Sequence, residues 1–261
     1  MEIRGSRVLI TGASRGIGEQ AARRFAEAGA TVALAARSAG PIESLADELG
    51  GAAYAVDLAD PAQVSGFIDR VESDGALDVL VNNAGVEDIG LLTDTDEAAI
   101  DHLLSLNVAT PFKLARQVLP GMIERGHGRI VQISSLAALS PIPAMVVYTA
   151  SKAALTHGTG SLELELRGTG VELTTVHLGI IETEMGENVN SAELLANYFA
   201  RLDKLGSPGP ISAEDVARSI VDAVARDRRH VVLPKTAVVF AGLNNAPRRI
   251  TGALLQGMKF R

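Results

Sequence analysis

The sequence predicts an α/β fold, with a parallel sheet covered by helices on both faces. Three observations predict it. Short apolar, β-branched runs alternate with longer helix-periodic ones from Arg7 to Leu233. A glycine-rich stretch, Thr11–Gly18, joins the first strand-like run to the first helical one. Hydrophobic residues make up 47% of the 261 residues, yet aromatics only 3%. The core is therefore aliphatic, which suits strands buried on both faces. Alternation of this kind implies parallel strands joined by right-handed crossovers.

The elements follow in order. Strands are expected at Arg7–Ile10, Thr31–Ala35, Ala52–Val56, Val79–Val81, Arg129–Ile133, Glu172–His177 and His230–Leu233. Gly16–Ala28 reads as a helix with Ile17, Ala21 and Phe25 on one face. Pro61 opens a helix after an Asp60 cap. Ile100–Glu124 is helical but interrupted at Pro111 and Pro120. Val147–Arg167 forms a long helix, and Ser212, ahead of Glu214 and Asp215, caps another to about Arg226. With no internal repeat and no low-complexity linker, residues 1–261 read as a single domain. Residues 179–210 lack a clear strand and hold one short helical pattern, Ala192–Leu205. Such an excursion after a late strand is either a lid over a site or a solvent-exposed insertion, and the lid is preferred.

Composition excludes several functions. The net charge is −7 and the pI about 5.3, which argues against a nucleic-acid partner. Without cysteine there are no disulfides, no thiolate catalysis and no cysteine metal site. The five histidines, His102, His127, His157, His177 and His230, form no His-x-x-x-His pair, so no metal is expected. No Gly-x-Ser-x-Gly elbow precedes a helix. An apolar run starts at Val8 with no secretory signal ahead of it, and no apolar stretch is long enough to span a bilayer. A soluble cytoplasmic protein is the expectation.

The chemistry is carried by two motifs. Glycines in Thr11–Gly18 permit a tight turn and close backbone approach, and the helix N-terminus behind them suits a pyrophosphate. Gly12, Ser14, Arg15, Ile17 and Gly18 are the candidate contacts of that loop with a dinucleotide. At the end of the second strand, an acid would hold a ribose 2′-hydroxyl. The chain has Ala35-Ala36-Arg37-Ser38 instead. Arg37 and Arg15 are suited to a 2′-phosphate, which favours NADP(H) over NAD. The second motif is Tyr148-Thr149-Ala150-Ser151-Lys152. Tyrosine and lysine four apart share one side of a helix. A phenol ordinarily titrates near 10, and a neighbouring ammonium is expected to lower that value.

In order along the chain stand Thr11–Gly18, Asn82-Asn83-Ala84-Gly85, Asn107, Ser134-Ser135 and Tyr148-x-x-x-Lys152. This set resembles the short-chain dehydrogenase/reductase family over roughly Ser6 to Leu233. The resemblance implies a Rossmann-type doubly wound sheet of about seven strands, with the cofactor across their carboxyl ends. It implies Asp57 at the adenine amino group with Leu58 beside the ring. Asn83, Ala84 and Gly85 would line the cofactor, Thr183 would bind the carboxamide, and Ile181 would lie nearby. Tyr148 would exchange the proton with a carbonyl or alcohol oxygen, and Ser135, thirteen residues ahead of it, would hold that oxygen. Lys152 would hold the nicotinamide ribose, and Asn107 would position a water that relays protons to Lys152. Leu178-Gly179 stands where the family usually has Pro-Gly, which implies a looser turn. Homodimers or homotetramers through the long helices are implied as well.

Leu136–Val147 and the lid residues Met185, Leu194, Leu195, Tyr198 and Phe199 are mostly apolar. They suit an apolar or bulky carbonyl substrate, or packing against core or a second subunit. From Lys235 to Arg261 the chain has five basic residues, Lys235, Arg248, Arg249, Lys259 and Arg261, and no acid. A helix from Pro247 with Ile250, Ala253, Leu254 and Met258 on one face would pack on protein or, less readily, lie on an anionic membrane surface. The leading expectation is an NADP(H)-dependent ketoreductase or alcohol dehydrogenase. Its rivals are a non-catalytic NADP-binding sensor or scaffold, and an epimerase or dehydratase, whose chains are longer.

Overall fold

The computed structural model describes residues 1–193, 195 and 209–237. Within them, seven strands form one parallel sheet: β1 (Arg7–Thr11), β2 (Thr31–Ala36), β3 (Ala52–Ala55), β4 (Val79–Asn82), β5 (Gly128–Ser135), β6 (Val171–Leu178) and, last in the chain, β9 (His230–Leu233). Their order is β3-β2-β1-β4-β5-β6-β9. All seven coincide with the expected runs to within about two residues at each end, as boundaries of strands allow. The chain winds outward from β1 in one direction, then restarts at β4 in the other. The crevice above β1 and β4 is therefore the switch point at which ligands of such sheets bind.

The twofold alternation of each strand divides the core. Val8, Ile10, Val32, Leu34, Val79 and Val81 face one side. There they meet Phe25 of α1 (Gly16–Glu27), Ile42 of α2 (Ala39–Leu49), and Ile220 of α9 (Ala213–Ala225). Leu9, Ala33, Ala35, Leu80 and Ile130 face the other. They meet Ile68 of α4 (Phe67–Glu72) and Val118 and Met122 of α6 (Thr110–Arg125). Each such side chain contributes roughly 1.5–3 kcal/mol by leaving water. The helix α2 was not delineated from sequence. It buries only Ile42, Leu45 and Ala46 and ends on Gly50 in the left-handed region, at φ 65°.

The caps read from sequence are present. Asp60 accepts from Ala62 N at 2.9 Å to open α3 (Pro61–Val64), and Ser212 accepts from Asp215 N at 3.1 Å to open α9. The expected breaks at Pro111 and Pro120 need correction. α5 (Glu97–Leu104) runs into a wide π turn, Ser105–Ala109, and α6 begins with Pro111 in its first turn. Pro111 has no N–H to return to the preceding turn, so the change of winding falls just before it. Pro120 lies inside α6 on its exposed face, where water can satisfy the carbonyl left without a partner.

Leu178 does not loosen the turn after β6. It completes the strand in register with Ser135 and Leu233, and Gly179 N donates to Leu233 O at 2.7 Å. Beyond it, β7 (Ile181–Glu182) pairs with β8 (Ile211–Ser212), so the two ends of the excursion meet. α8 (Glu184–Ser191) follows β7, and α7 (Val146–Glu165) carries the tyrosine–lysine motif. Most of the expected helix Ala192–Leu205 lies outside the described residues, with Leu194, Tyr198 and Phe199. So does the basic tail beyond Ala237, with Arg248, Arg249, Lys259 and Arg261.

Phe25 is fully buried between α1 and the sheet. Phe25→Ala is expected to lower unfolding stability by about 3–5 kcal/mol, read from urea melts. A loss under about 1 kcal/mol would mean that this layer does not pack as described.

Candidate active site

The glycine loop and the segment after β4 are stitched together across the switch point. Thr11 Oγ1 donates to Val81 O at 3.2 Å and accepts from Asn83 N at 2.9 Å and Ala84 N at 3.0 Å. Asn83 Nδ2 donates to Thr11 O at 2.9 Å and Gly12 O at 3.2 Å. This approach leaves no room for a side chain at Gly12 or Gly18. A Cβ on Gly18 would lie 2.2 Å from Gly12 O, and one on Gly12, at φ 66°, would lie 3.0 Å from Ala84 Cα. The first turn of α1 has no side-chain cap, because Arg15 at the N-cap makes no such bond. A backbone cradle opening onto an uncapped helix N-terminus fits a pyrophosphate. The side chain of Asn83 thus braces the loop.

The remaining candidates surround that cradle. Ser14 and Ile17 are half-buried in the loop and the first turn of α1. Arg37 is exposed just past β2. Asp57, past β3, accepts from Ala59 N at 3.0 Å, and Leu58 is buried with its carbonyl held by Thr110 Oγ1 at 2.7 Å. Ile181 is buried in β7. Thr183 caps α8, accepting from Gly186 N at 3.3 Å, and its methyl would lie 3.2 Å from a Cβ on Gly16. The start of the excursion therefore rests on the glycine loop. Arg15 forms an ion pair with Glu184 of α8.

Four residues from three elements, the π turn, β5 and α7, converge beside this crevice. Asn107 lies in the π turn, fully enclosed. Its Oδ1 accepts from Val86 N at 3.0 Å, and its Nδ2 donates to Val86 O at 2.8 Å and Ser151 Oγ at 3.2 Å. Ser151 Oγ in turn donates to Tyr148 O at 2.7 Å. Ser135 ends β5; its Oγ donates to Leu178 O at 3.2 Å and accepts from Ala137 N at 3.1 Å, and its hydroxyl acts on the Tyr148 phenol. Ser134 turns the other way, to Thr156 Oγ1 at 2.6 Å. Lys152 Nζ donates to Ile133 O at 3.1 Å and lies 5.8 Å from the centre of the Tyr148 ring. A Cβ on Gly85 would lie 3.5 Å from that Nζ and 3.0 Å from Asn107 Oδ1, so glycine there keeps lysine and asparagine accessible to each other.

Electrostatics departs from the sequence expectation. Burial pushes the Tyr148 phenol up to about 12, the Ser135 hydrogen bond pulls it down, and the charge of Glu87 raises it. Burial also brings the Lys152 ammonium down to about 8. The expected lowering of the tyrosine by the lysine is therefore not found: the groups that act on the phenol besides burial are Ser135 and Glu87, and burial dominates both Tyr148 and Lys152. Sequence reasoning missed Thr11 Oγ1, Ser151 and Glu87. Ser151 had a visible signal, three residues after Tyr148; the other two depend on tertiary approach.

The expected apolar wall is present in part. Ala144 and Met145 are buried with Leu195, and Ile89, Ile142, Tyr148, Val189 and Ala192 pack on them. Met185 is exposed.

Comparison with known proteins places these features in a wider set. A family model described as short chain dehydrogenase matches residues 6–194. The chain is 32% identical over 241 residues to dehydrogenase/reductase SDR family member 7B of Mus musculus, covering 88% of this chain and 74% of that one. A short-chain dehydrogenase from Sphingobium yanoikuyae in complex with NADPH superposes with a TM-score of 0.80, at 27% identity, over 97% of this chain and 98% of that one. A short chain dehydrogenase/reductase from Burkholderia phymatum in complex with NAD gives 0.80 at 26% identity, over 96% of each.

The lysine makes a stability prediction. Its folded value of about 8 lies below the roughly 10.4 of an unfolded chain. Between these values the unfolded state holds a proton that the folded state has released, so folding gains stability as pH rises. Relative to Lys152→Met, the wild type is expected to gain about 1.5 kcal/mol between pH 8 and 9.5, with a slope that rises toward about 1.4 kcal/mol per unit. Urea melts of both proteins across that range check it; parallel curves would show that Lys152 titrates normally.

Proposed function

Since the chain belongs to the short-chain dehydrogenase/reductase family of oxidoreductases, which work with a nicotinamide cofactor, we propose that it is an NADP(H)-dependent ketone reductase or alcohol dehydrogenase. The observation that carries the proposal is the convergence of the buried Tyr148 phenol with Ser135, which acts on it, and with the Lys152 ammonium 5.8 Å from its ring. When bound, the cofactor supplies or accepts the hydride. Ser135 and Tyr148 hold the substrate oxygen, and Tyr148 gives it a proton in reduction or takes one in oxidation. A phenol held near 12 is fully protonated at neutral pH, which suits the reductive direction. Lys152 stays largely charged below pH 8 and compensates the phenolate as it forms. Asn107, bonded to Val86 and Ser151, fixes the spacing of the loop and helix around that proton path.

The glycine cradle of Gly12 and Gly18, with Ser14 and Ile17, would hold the pyrophosphate. Asn83, Ala84 and Gly85 would line the cofactor and Lys152 would hold its nicotinamide ribose, Asp57 would meet the adenine amino group with Leu58 beside the ring, and Thr183 would bind the carboxamide with Ile181 nearby. Arg37 follows β2, where an NAD-specific site would carry an acid, and Arg15 of the glycine loop can approach the same group, which supports NADP(H). On this reading residues 1–261 act as one cytoplasmic oxidoreductase domain. The groove between α6 and α7, lined by Phe112, Pro120, Ile123 and Leu162, would take a second copy.

Two substitutions test the proposal by NADPH oxidation against a panel of apolar ketones. Tyr148→Phe is expected to lower kcat roughly 10²–10⁴-fold with little change in NADPH affinity. Unchanged turnover would favour a nucleotide sensor. Arg37→Ala is expected to reduce the preference for NADPH over NADH about tenfold or more, read as the ratio of the two kcat/KM values. An unchanged ratio would remove Arg37 from cofactor selection.

A further inference from the structure

Glu87 is an acid that the proton path does not use. It lies two residues beyond Gly85, and the residue before it, Val86, has both backbone polar groups clamped by the Asn107 amide. Its origin on the rim of the site is therefore fixed. Its Oε1 accepts from Asn188 Nδ2 of α8 at 3.3 Å, so it spans the gap between the segment after β4 and the excursion. Its neighbour in sequence Ile89 packs with Ile142, Met145, Tyr148 and Val189. Burial raises the Glu87 carboxyl, Asn188 and Arg15 pull it down, and Glu184 pushes it up. Its charge acts in turn on the Tyr148 phenol.

Among the described residues, Glu87 makes no salt bridge: Arg15, the cation whose charge acts on it, pairs with Glu184 instead. A half-buried carboxylate whose hydrogen bond comes from a neutral amide is only partly compensated. Donors on a bound molecule would complete its shell, and a second carboxylate beside it would be repelled. Glu87 lies between Gly85, on which a Cβ would lie 3.5 Å from Lys152 Nζ, and Ile89, which packs with Tyr148, so the apolar wall has an acidic residue at its edge.

We propose that Glu87 is the specificity-determining residue of this site, selecting substrates with a hydrogen-bond donor, hydroxyl or ammonium, next to the reacting carbonyl and rejecting those with a carboxylate there. The inference rests on the ketone–alcohol reading given above. It is tested with three ketones that share one apolar tail: 4-phenyl-2-butanone, 1-hydroxy-4-phenyl-2-butanone and 2-oxo-4-phenylbutanoate. With NADPH, the wild type is expected to favour the hydroxyketone over the oxo acid by about tenfold or more in kcat/KM. Glu87→Gln keeps an acceptor for Asn188 and removes the charge. It is expected to erase most of that ratio while changing the unsubstituted ketone by less than about threefold. Equal effects on all three ketones, or an unchanged ratio, would overturn the proposal. Calorimetric titration of the same three probes into NADP⁺-loaded protein separates the two readings. Preferential binding of the hydroxyketone without turnover would overturn only the reductase reading. Absence of any preference in binding as well as turnover would overturn the role of Glu87.

Discussion

The Thr11 hydroxyl is the contact on which the rest of the site depends. It lies at the point where the sheet reverses its winding, and one oxygen there takes two N–H groups and gives its proton to Val81. These bonds draw the segment after β4 against the glycine loop. The closeness of that approach is what forbids a side chain at Gly12 and Gly18. Buried backbone donors without such a partner cost roughly 1–3 kcal/mol each, so the hydroxyl is structural before it is functional. The cradle for a phosphate and the position of Gly85 beside Lys152 both follow from it.

The second constraint is burial. Lys152 has lost nearly all contact with water, and its ammonium is bonded to Ile133 O. Ion and phenol are both in surroundings that disfavour charge, which is why one has moved down and the other up. The pair is thereby held in the protonation state of an acid ready to donate. The same dryness strengthens any charge that enters, which is how a residue outside the proton path, Glu87, acts on Tyr148.

Much of this was legible in the sequence, and the remainder has a physical reason. The seven strands were visible because strands buried on both faces read as mostly aliphatic runs, continuous at Val8–Ile10 and Val79–Val81. The spacing of Tyr148 and Lys152 was legible because α7 brings them to one side. The helix α2 was not, because it buries only three residues and begins with glycine and proline close to its start. The π turn was not, because a change of winding leaves no compositional mark; only Pro111 hinted at it, and Pro120 hinted falsely. Pairings between distant segments, Arg15 with Glu184 and Glu87 with Asn188, have no signature along the chain at all.

Those two pairings give the excursion its relation to the cofactor cradle. Arg15 and Glu184 are both mostly solvent-exposed, with side chains 71% and 61% accessible. An ion pair of that kind is worth about 1 kcal/mol or less. A phosphate offers the guanidinium more charge and a forked geometry, so Glu184 does not withhold Arg15 from a 2′-phosphate. The charge of Glu184 also reaches Glu87, whose carboxyl it pushes up. Whatever engages Arg15 removes a cation that now draws the Glu87 carboxyl down. The proposed cofactor recognition at the glycine loop and the proposed selection by Glu87 would therefore be coupled through Arg15, Glu184 and Glu87, on three separate segments, with α8 contributing one of them.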